Sequence, residues 1–489
     1  MFRIISLSWL TLLLFSFTQL SAQKGPVKFG EIDINNLKMT RSLLDSTAGA
    51  MVISDFGYVS HDHNFEVLLT HHIRIKIFNS SEFDRADVKI PFSSRDRVEK
   101  LKGATYNLID GKIVMTKLEK SDIFKENVNE GIDQKRFSLP NVKEGSIIEY
   151  TYKVNYGDWR SLSTWYFQTS IPVMHSEYVV ALPEYFNYKK VSKGYVPIAQ
   201  ERTTKNGNHN GQSMKLNIER FVAKNILPFE EEAYLACAND HISSISFELN
   251  TLIVPGEIHR TFLPPSYRSL SKAWAESEHF GKKLEKGRFL REPVAAITKD
   301  IESDQQKIKA IYEHVRDRFE VDFDIKSENL KKIYDLKKGY PQDINMILIA
   351  MLKEAGYDAS GLRLSTRGHG LINPFYAIPS NFNRTICTVR LGETDYLLDA
   401  SDKHLPFNTL SEECMNGQGM IISSDNFRWI NLVPKNASKK VISANLMLDE
   451  DGIVKGKVNV SRGGYDAIDF RESYQKDIED YKKTFSEGK

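Results

Sequence analysis

Cysteine is nearly missing from this chain: Cys237, Cys387 and Cys414 are the only three among 489 residues. An odd, sparse set excludes a disulfide framework, and without a Cys-x-x-Cys pair the common structural zinc site is excluded too. One bridge stays open, and the sequence does not choose its partners. Charge excess is also absent. Sixty-six Lys and Arg stand against 64 Asp and Glu, a net charge of +2. Nothing in that balance points to nucleic acid or to an anionic membrane surface. There is no low-complexity tract, Gly-rich phosphate loop, Gly-x-Ser-x-Gly elbow or His-Glu-x-x-His helix. Past residue 20 no segment approaches the ~20 apolar residues of a membrane span. No cofactor and no metal is expected.

What is present reads as globular, at 41% hydrophobic and 27% charged, and long enough for two or three domains. Arg3, the apolar run Ile4 to Leu20 and the small pair Ser21-Ala22 have the layout of a signal peptide cut after Ala22. An uncleaved anchor is the competing reading. The expected location is therefore outside the cytoplasm, in the periplasm or cell envelope, with no transmembrane segment after cleavage.

Strand signals dominate from Asp45 to Ile226. Leu69, His71, Ile73, Ile75 and Ile77 alternate, as on a half-buried strand. Asn107 to Val114 predicts a hairpin turning at Asp110-Gly111. Ser146 to Val154, Trp165 to Gln168 and Glu177 to Pro183 read as further strands of an antiparallel sandwich. Trp165, Tyr166 and Phe167 are expected in its core. His61, His63, His71 and His72 raise a metal question. His71 and His72 fall on opposite strand faces, and His61 with His63 has no third ligand at useful spacing.

Pro228 and Glu230 to Glu232 mark a boundary. Helical periodicity follows between Ser266 and Phe289 and from Gln305 to Phe319. A third helix is predicted from Pro341 to Ala355, with Ile344, Ile347, Leu348, Met351 and Leu352 as its stripe and Gly356 as its C-cap. Antiparallel strands come next: Gly361 to Ser365, Thr385 to Arg390 and Asp395 to Asp399. The order is α+β and not βαβ. A hairpin over Val441 to Val460 and a helix carrying Ala467, Tyr474, Ile478, Tyr481 and Phe485 close the sequence. That last unit reads as incomplete, having too little partner surface of its own.

The blocks Lys338-Gly339-Tyr340-Pro341-Gln342-Asp343, Phe382-Asn383-Arg384-Thr385-Ile386 and Tyr396-Leu397-Leu398-Asp399-Ala400-Ser401 carry a family resemblance. With the helices around them they resemble the transglutaminase-like (papain-related) superfamily. Residues 109–112, 140–150 and 167–173 resemble domain of unknown function 3857, which often precedes that fold in exported bacterial proteins. Together with the patterns above, the expected organisation is a signal peptide over 1–22, a β-sandwich over 23–230 and a linker with helices over 231–296. A cysteine-protease-like α+β domain would follow over 297–425, and the start of a β-rich unit over 426–489.

The family's chemistry needs a Cys at the helix start, a His on the first strand and an Asp on the second. By the resemblance those seats fall on Pro341, Arg384 and Asp399. Proline has no nucleophilic atom, and arginine does not shuttle protons near neutral pH. The expectation is a non-catalytic protein that binds or scaffolds a peptide, protein or envelope polysaccharide across an interdomain cleft, with Arg384 and Asp399 forming an ion pair. Thr366, Arg367 and His369, in a glycine-flanked loop, are the candidate ligand residues. The competing expectation is a cysteine-type amidase or protease with relocated residues, or a hydrolase using His369 and Asp399 with water. Cys387, three residues along the strand from Arg384, is the rescue candidate for the thiol reading, although strand alternation turns it to the opposite face.

Overall fold

The computed structural model describes residues 25–483 except 130, 161, 210–211, 234, 255, 257, 326–328, 435–436 and 480–481. The expected signal peptide, with Tyr481 and Phe485 of the closing helix, lies outside the described residues. The chain is mixed α+β and divides into two compact units, one of residues up to 230 with 242–260, the other of 231–241 with residues from 261 onward.

In the first unit a short helix α1 (Ile34–Lys38) precedes the strands β1 (Ala50–His61), β2 (Val67–Ile77), β3 (Asp87–Ser93), β4 (Arg97–Ile109) and β5 (Lys112–Lys117). They are followed by β6 (Phe124–Asn129), β7 (Ile132–Ser138), β8 (Ile147–Asn155), β9 (Trp165–Tyr166) and β10 (Val173–Pro183). Then come β11 (Phe186–Lys193), β12 (Ala199–His209), β13 (Gln212–Ile226), β14 (Ser244–Val254) and β15 (Ile258–Thr261). An eight-stranded sheet runs β12-β13-β10-β1-β2-β8-β4-β5. A three-stranded sheet, β3-β7-β6, and a four-stranded one, β11-β14-β15 with β9 on β14, complete the sandwich. One apolar cluster draws on all three sheets, including Val52, Ile75, Phe92, Phe137 and Phe247. Trp165 and Phe167 lie in it, while Tyr166 is exposed.

The predicted hairpin is present between β4 and β5. Asp110 and Gly111 both have positive φ, 49° and 72°, the pairing a two-residue turn needs to match strand twist. The expected linker-and-helix segment, 231–296, differs: it contributes β14 and β15. Ile245, Phe247, Leu249 and Leu252 are buried along β14, and the period-two spacing of the first three draws that strand into the sandwich.

β2 is buried on both faces, not half-buried as its alternation predicts. On the inner face His71 bridges Asp55 Oδ1 at 2.6 Å and the Tyr152 hydroxyl at 2.8 Å. On the outer face His72, Arg74 and Lys76 are covered by residues 25–38. Glu149, fully buried, accepts from Arg74 Nη2 (2.5 Å), His72 Nε2 (2.8 Å), the Tyr106 hydroxyl (2.7 Å) and the Gly30 amide (3.0 Å). Lys76, 0% exposed, donates to the Leu37 and Gly145 carbonyls, and burial pushes its ammonium down to about 8. Elsewhere His61 stacks on Phe186 with centroids 4.8 Å apart, and burial pushes its imidazole down to about 4.

The second unit opens with α2 (Tyr267–Ala275), α3 (Gly281–Leu284), α4 (Arg291–Thr298) and α5 (Asp304–Arg318). A two-residue strand β16 (Glu320–Val321), α6 (Leu330–Leu336), β17 (Lys338–Gly339) and α7 (Pro341–Glu354) follow. The strands β18 (Asp358–Leu364), β19 (Arg384–Leu391), β20 (Thr394–Leu398), β21 (Gln418–Ile421) and β22 (Trp429–Asn431) form a sheet in the order β20-β19-β18-β21-β22. A separate hairpin, β23 (Lys439–Leu448) with β24 (Val454–Gly463), leads into α8 (Tyr465–Lys476). Among the described residues no helix is long and apolar enough to cross a membrane.

α7 lies on β18 and β19, with α4, α5 and α6 packed around it. Its predicted stripe is buried, and so are Met346, Ile349 and Ala350, because helices cover the side that the stripe leaves open. Its C-terminus closes as expected: Gly356 at φ +88° lets its own amide reach the Lys353 carbonyl and the Tyr357 amide reach Leu352. α8 keeps part of the expected set: Ala467 is buried, together with Tyr465 and Ile468, whereas Tyr474 is exposed and Ile478, past the end of α8, is exposed too.

Candidate functional site

The chain enters α7 through β17, which pairs in parallel with β16. Pro341 then takes the first helical position, where its missing N–H removes no helical bond and its fixed φ suits the turn. Asp343 sits in that turn, a position where the helix dipole favours negative charge. Its carboxylate meets Lys283 Nζ at 2.7 Å, both side chains nearly buried.

One turn further, Asn345 joins the helix to the sheet. Its Nδ2 donates to the Thr385 carbonyl (3.1 Å) and to Asp399 Oδ1 (2.9 Å), and its Oδ1 accepts from the Ala400 amide (2.9 Å). Asp399, just past the end of β20, is 0% exposed. Its Oδ1 also accepts from the Ser401 amide (3.0 Å) and hydroxyl (2.5 Å). Its Oδ2 takes Arg384 Nη2 at 2.9 Å and Nε at 3.3 Å. The predicted Arg384–Asp399 pair is therefore formed, and Arg384 also reaches the Ser401 hydroxyl (3.1 Å). Burial opposes charge on Asp399, but the guanidinium and the hydrogen bonds outweigh it and hold the carboxyl below the usual range.

Around this pair stand three loops of the second unit. Thr366 is buried, exchanging hydrogen bonds with the Asn383 amide group (2.9 and 2.8 Å). Arg367 is exposed, with Nε on the Met415 carbonyl (3.1 Å). His369 is exposed, its Nδ1 2.9 Å from the Ser365 hydroxyl. Asn416 Nδ2 clamps the loop by donating to the carbonyls of Ser365, Thr366 and Gly370. Asn383 precedes Arg384, so the Thr366–Gly370 loop and the Arg384–Asp399 pair form one neighbourhood. Within it, Arg367 and His369 face solvent and Thr366 does not.

Cys387 points into the core beneath α7, and burial pushes its thiol up. Ile386, next to it on the strand, joins the cluster on the other face. Sequence reasoning missed Cys414. This residue is fully buried in a short turn, 412–414, and lies near enough to Asp399 and Arg384 to feel both charges. Burial pushes its thiol up to about 12. No local pattern marks it, because only the fold of the loop after β20 brings it there. All three cysteines are free and buried, so the bridge left open by the sequence is not made. Among the described residues no group of three or more His, Cys, Asp or Glu is placed to hold a metal ion.

The sequence profile of a domain of unknown function with solved structure, DUF3857, matches residues 63–215, all within the first unit. No curated protein matches the sequence. A "putative protease" from Parabacteroides distasonis superposes with a TM-score of 0.53, covering 79% of this chain and 72% of its own at 14% identity. At that identity the likeness speaks for the fold alone, which is mixed α+β. A "putative cysteine protease" from Cytophaga hutchinsonii covers 61% of this chain and 88% of its own at 10% identity, and its TM-score of 0.21 carries no argument.

Proposed function

We propose that this chain is an exported envelope protein whose transglutaminase-like domain binds a peptide or protein and performs no acyl transfer. The observation that carries the reading is the buried Arg384–Asp399–Asn345 network, with Pro341 at the head of α7. Acyl transfer of the family's kind needs a thiolate and a neighbouring base. Pro341 offers neither, and Arg384 is bound to Asp399 as a permanent cation. Arg367 then presents guanidinium donors, and His369, its Nδ1 turned to Ser365, presents Nε2, both at the surface of a clamped loop, the kind of rigid setting from which loops bind ligands. Export rests on Arg3, the run Ile4 to Leu20 and the small residues before Gln23.

A second reading rests on Cys414, whose thiol neighbours the same two charges: a thiol amidase with displaced parts. Two measurements separate the readings. Saturation-transfer NMR against a tryptic peptide pool should show binding that Arg367→Ala with His369→Ala abolishes and Cys414→Ser leaves intact. Amide hydrolysis or transfer that falls with Cys414→Ser would replace the binding reading with the enzymatic one. N-terminal sequencing of the protein made in a Gram-negative host should begin at Gln23, and retention in the cytoplasm would remove export.

A further inference from the structure

On the sheet face turned away from α7, the ends of β18, β19 and β21 enclose a cavity of about 370 Å³ that the Arg384 site does not use. Its size is at the small end of ligand pockets, which run ~300–1,000 Å³. The lining is polar and carries both signs of charge. Arg268 of α2 and Arg390 of β19 bring two guanidinium groups. That of Arg268 lies over the Phe427 ring, 5.3 Å from its centroid, and has no hydrogen-bond acceptor among the described residues. Among the described residues Arg390 spends only Nε, on the Gly392 carbonyl at 3.2 Å. Arg428, the third arginine of the lining, is already neutralised by Asp395 at 2.7 Å.

Asp358 and Asp425 add two carboxylates to the same lining. Asp358 and Arg390 are direct register partners across β18 and β19, where opposite charges commonly pair. Among the described residues they make no ion pair with each other, so both keep unused capacity. The deepest polar residue of the lining is Thr388, 3% exposed, whose hydroxyl has no hydrogen-bond partner among the described residues. That hydroxyl lies beneath the lining, so an occupant of the cavity would meet the charged side chains around it.

We propose that this cavity binds a small zwitterion of the α-amino acid type, its carboxylate on Arg268 and Arg390 and its ammonium against Asp358 and Asp425. Guanidinium forks match a planar carboxylate. The two carboxylates disfavour a multiply charged anion such as phosphate and favour a ligand with one charge of each sign. The site is independent of the binding reading above, and either can fail alone.

Calorimetric titration of the full chain tests it with glycine, alanine, glutamate, lysine and phenylalanine, each beside its N-acetyl derivative, and with inorganic phosphate. At least one free amino acid should bind saturably in the millimolar range or better, with its acetylated form and phosphate each weaker by about tenfold or more. Arg268→Ala and Arg390→Ala should each lower affinity by about tenfold. Both side chains are exposed, so the thermal midpoint should hold. Arg390→Lys keeps the charge without the fork and should also weaken binding. Asp358→Asn should lower amino acid affinity and raise that of phosphate. Phosphate binding tighter than any amino acid, acetylated ligands binding equally well, unchanged affinity in both arginine variants, or no saturable heat at about 50 mM would each overturn the proposal.

Discussion

Consider the substitution Arg384→Ala. Asp399 is completely buried, and after the change its Oδ1 keeps three donors, from Asn345 and from the Ser401 amide and hydroxyl. Oδ2 loses both guanidinium nitrogens. Breaking one side of a buried pair typically costs ~3–5 kcal/mol. Here the guanidinium side chain is 22% exposed, so water enters part of the space it leaves, and the surviving donors steady the charge. The expected loss is about 2–3 kcal/mol at neutral pH. Its pH dependence has a definite sign. In the native protein Asp399 titrates below an unfolded carboxylate, so the pair's contribution is complete above pH ~4 and disappears as pH falls through the lower, folded value. In the variant burial is no longer offset by Arg384, the folded carboxyl titrates higher, and the gap between the two proteins narrows toward acid. Hydrogen exchange of the α7 amides, corrected for intrinsic rates, reads the unit locally in a chain that does not unfold in two states. A loss under about 0.5 kcal/mol, or one that is flat with pH, would mean that the two charges are solvated and the reasoning is wrong.

Two further outcomes follow from burial. Glu149→Gln should cost about 2–4 kcal/mol and speed tryptic cleavage at Lys28 and Lys38, because Glu149 anchors Arg74 and the Gly30 amide beneath that segment. Burial opposes its charge, but His72, Tyr106 and Arg74 hold its carboxyl low, so its contribution should vanish below the usual glutamate range; unchanged trypsin kinetics would contradict this anchoring. A chromogenic thiol reagent should find no fast-reacting cysteine in the native chain and all three in denaturant, since every thiol is buried; one fast thiol would refute that placement.

What the sequence made readable were features with a short-range cause. Asp110-Gly111 specifies its own turn, the apolar stripe of α7 specifies a buried helix, and Pro341 and Gly356 bound it. The Arg384–Asp399 pair was legible because two motif blocks place both residues on neighbouring strands. The misreadings have a common physical source in distant chain. His72, Arg74 and Lys76 look like a solvent face until residues 25–38 cover them and Glu149 neutralises them. β14 alternates well enough, yet a boundary drawn at Glu230 assigned it to a linker. Cys414 sits beside Arg384 only because a long loop returns there, and no periodicity encodes a loop closure.

The return of β14 limits how the molecule can be divided. A chain cut at residue 230 would leave β9 and β11 without the strand that pairs with both, and so expose backbone that the intact protein keeps hydrogen-bonded. Conversely, a fragment starting at 261 would lack residues 231–241, which belong with it. During synthesis the sandwich therefore waits for residues encoded after part of the next unit has emerged, and a protease nick near 235 would sever neither body at its true edge.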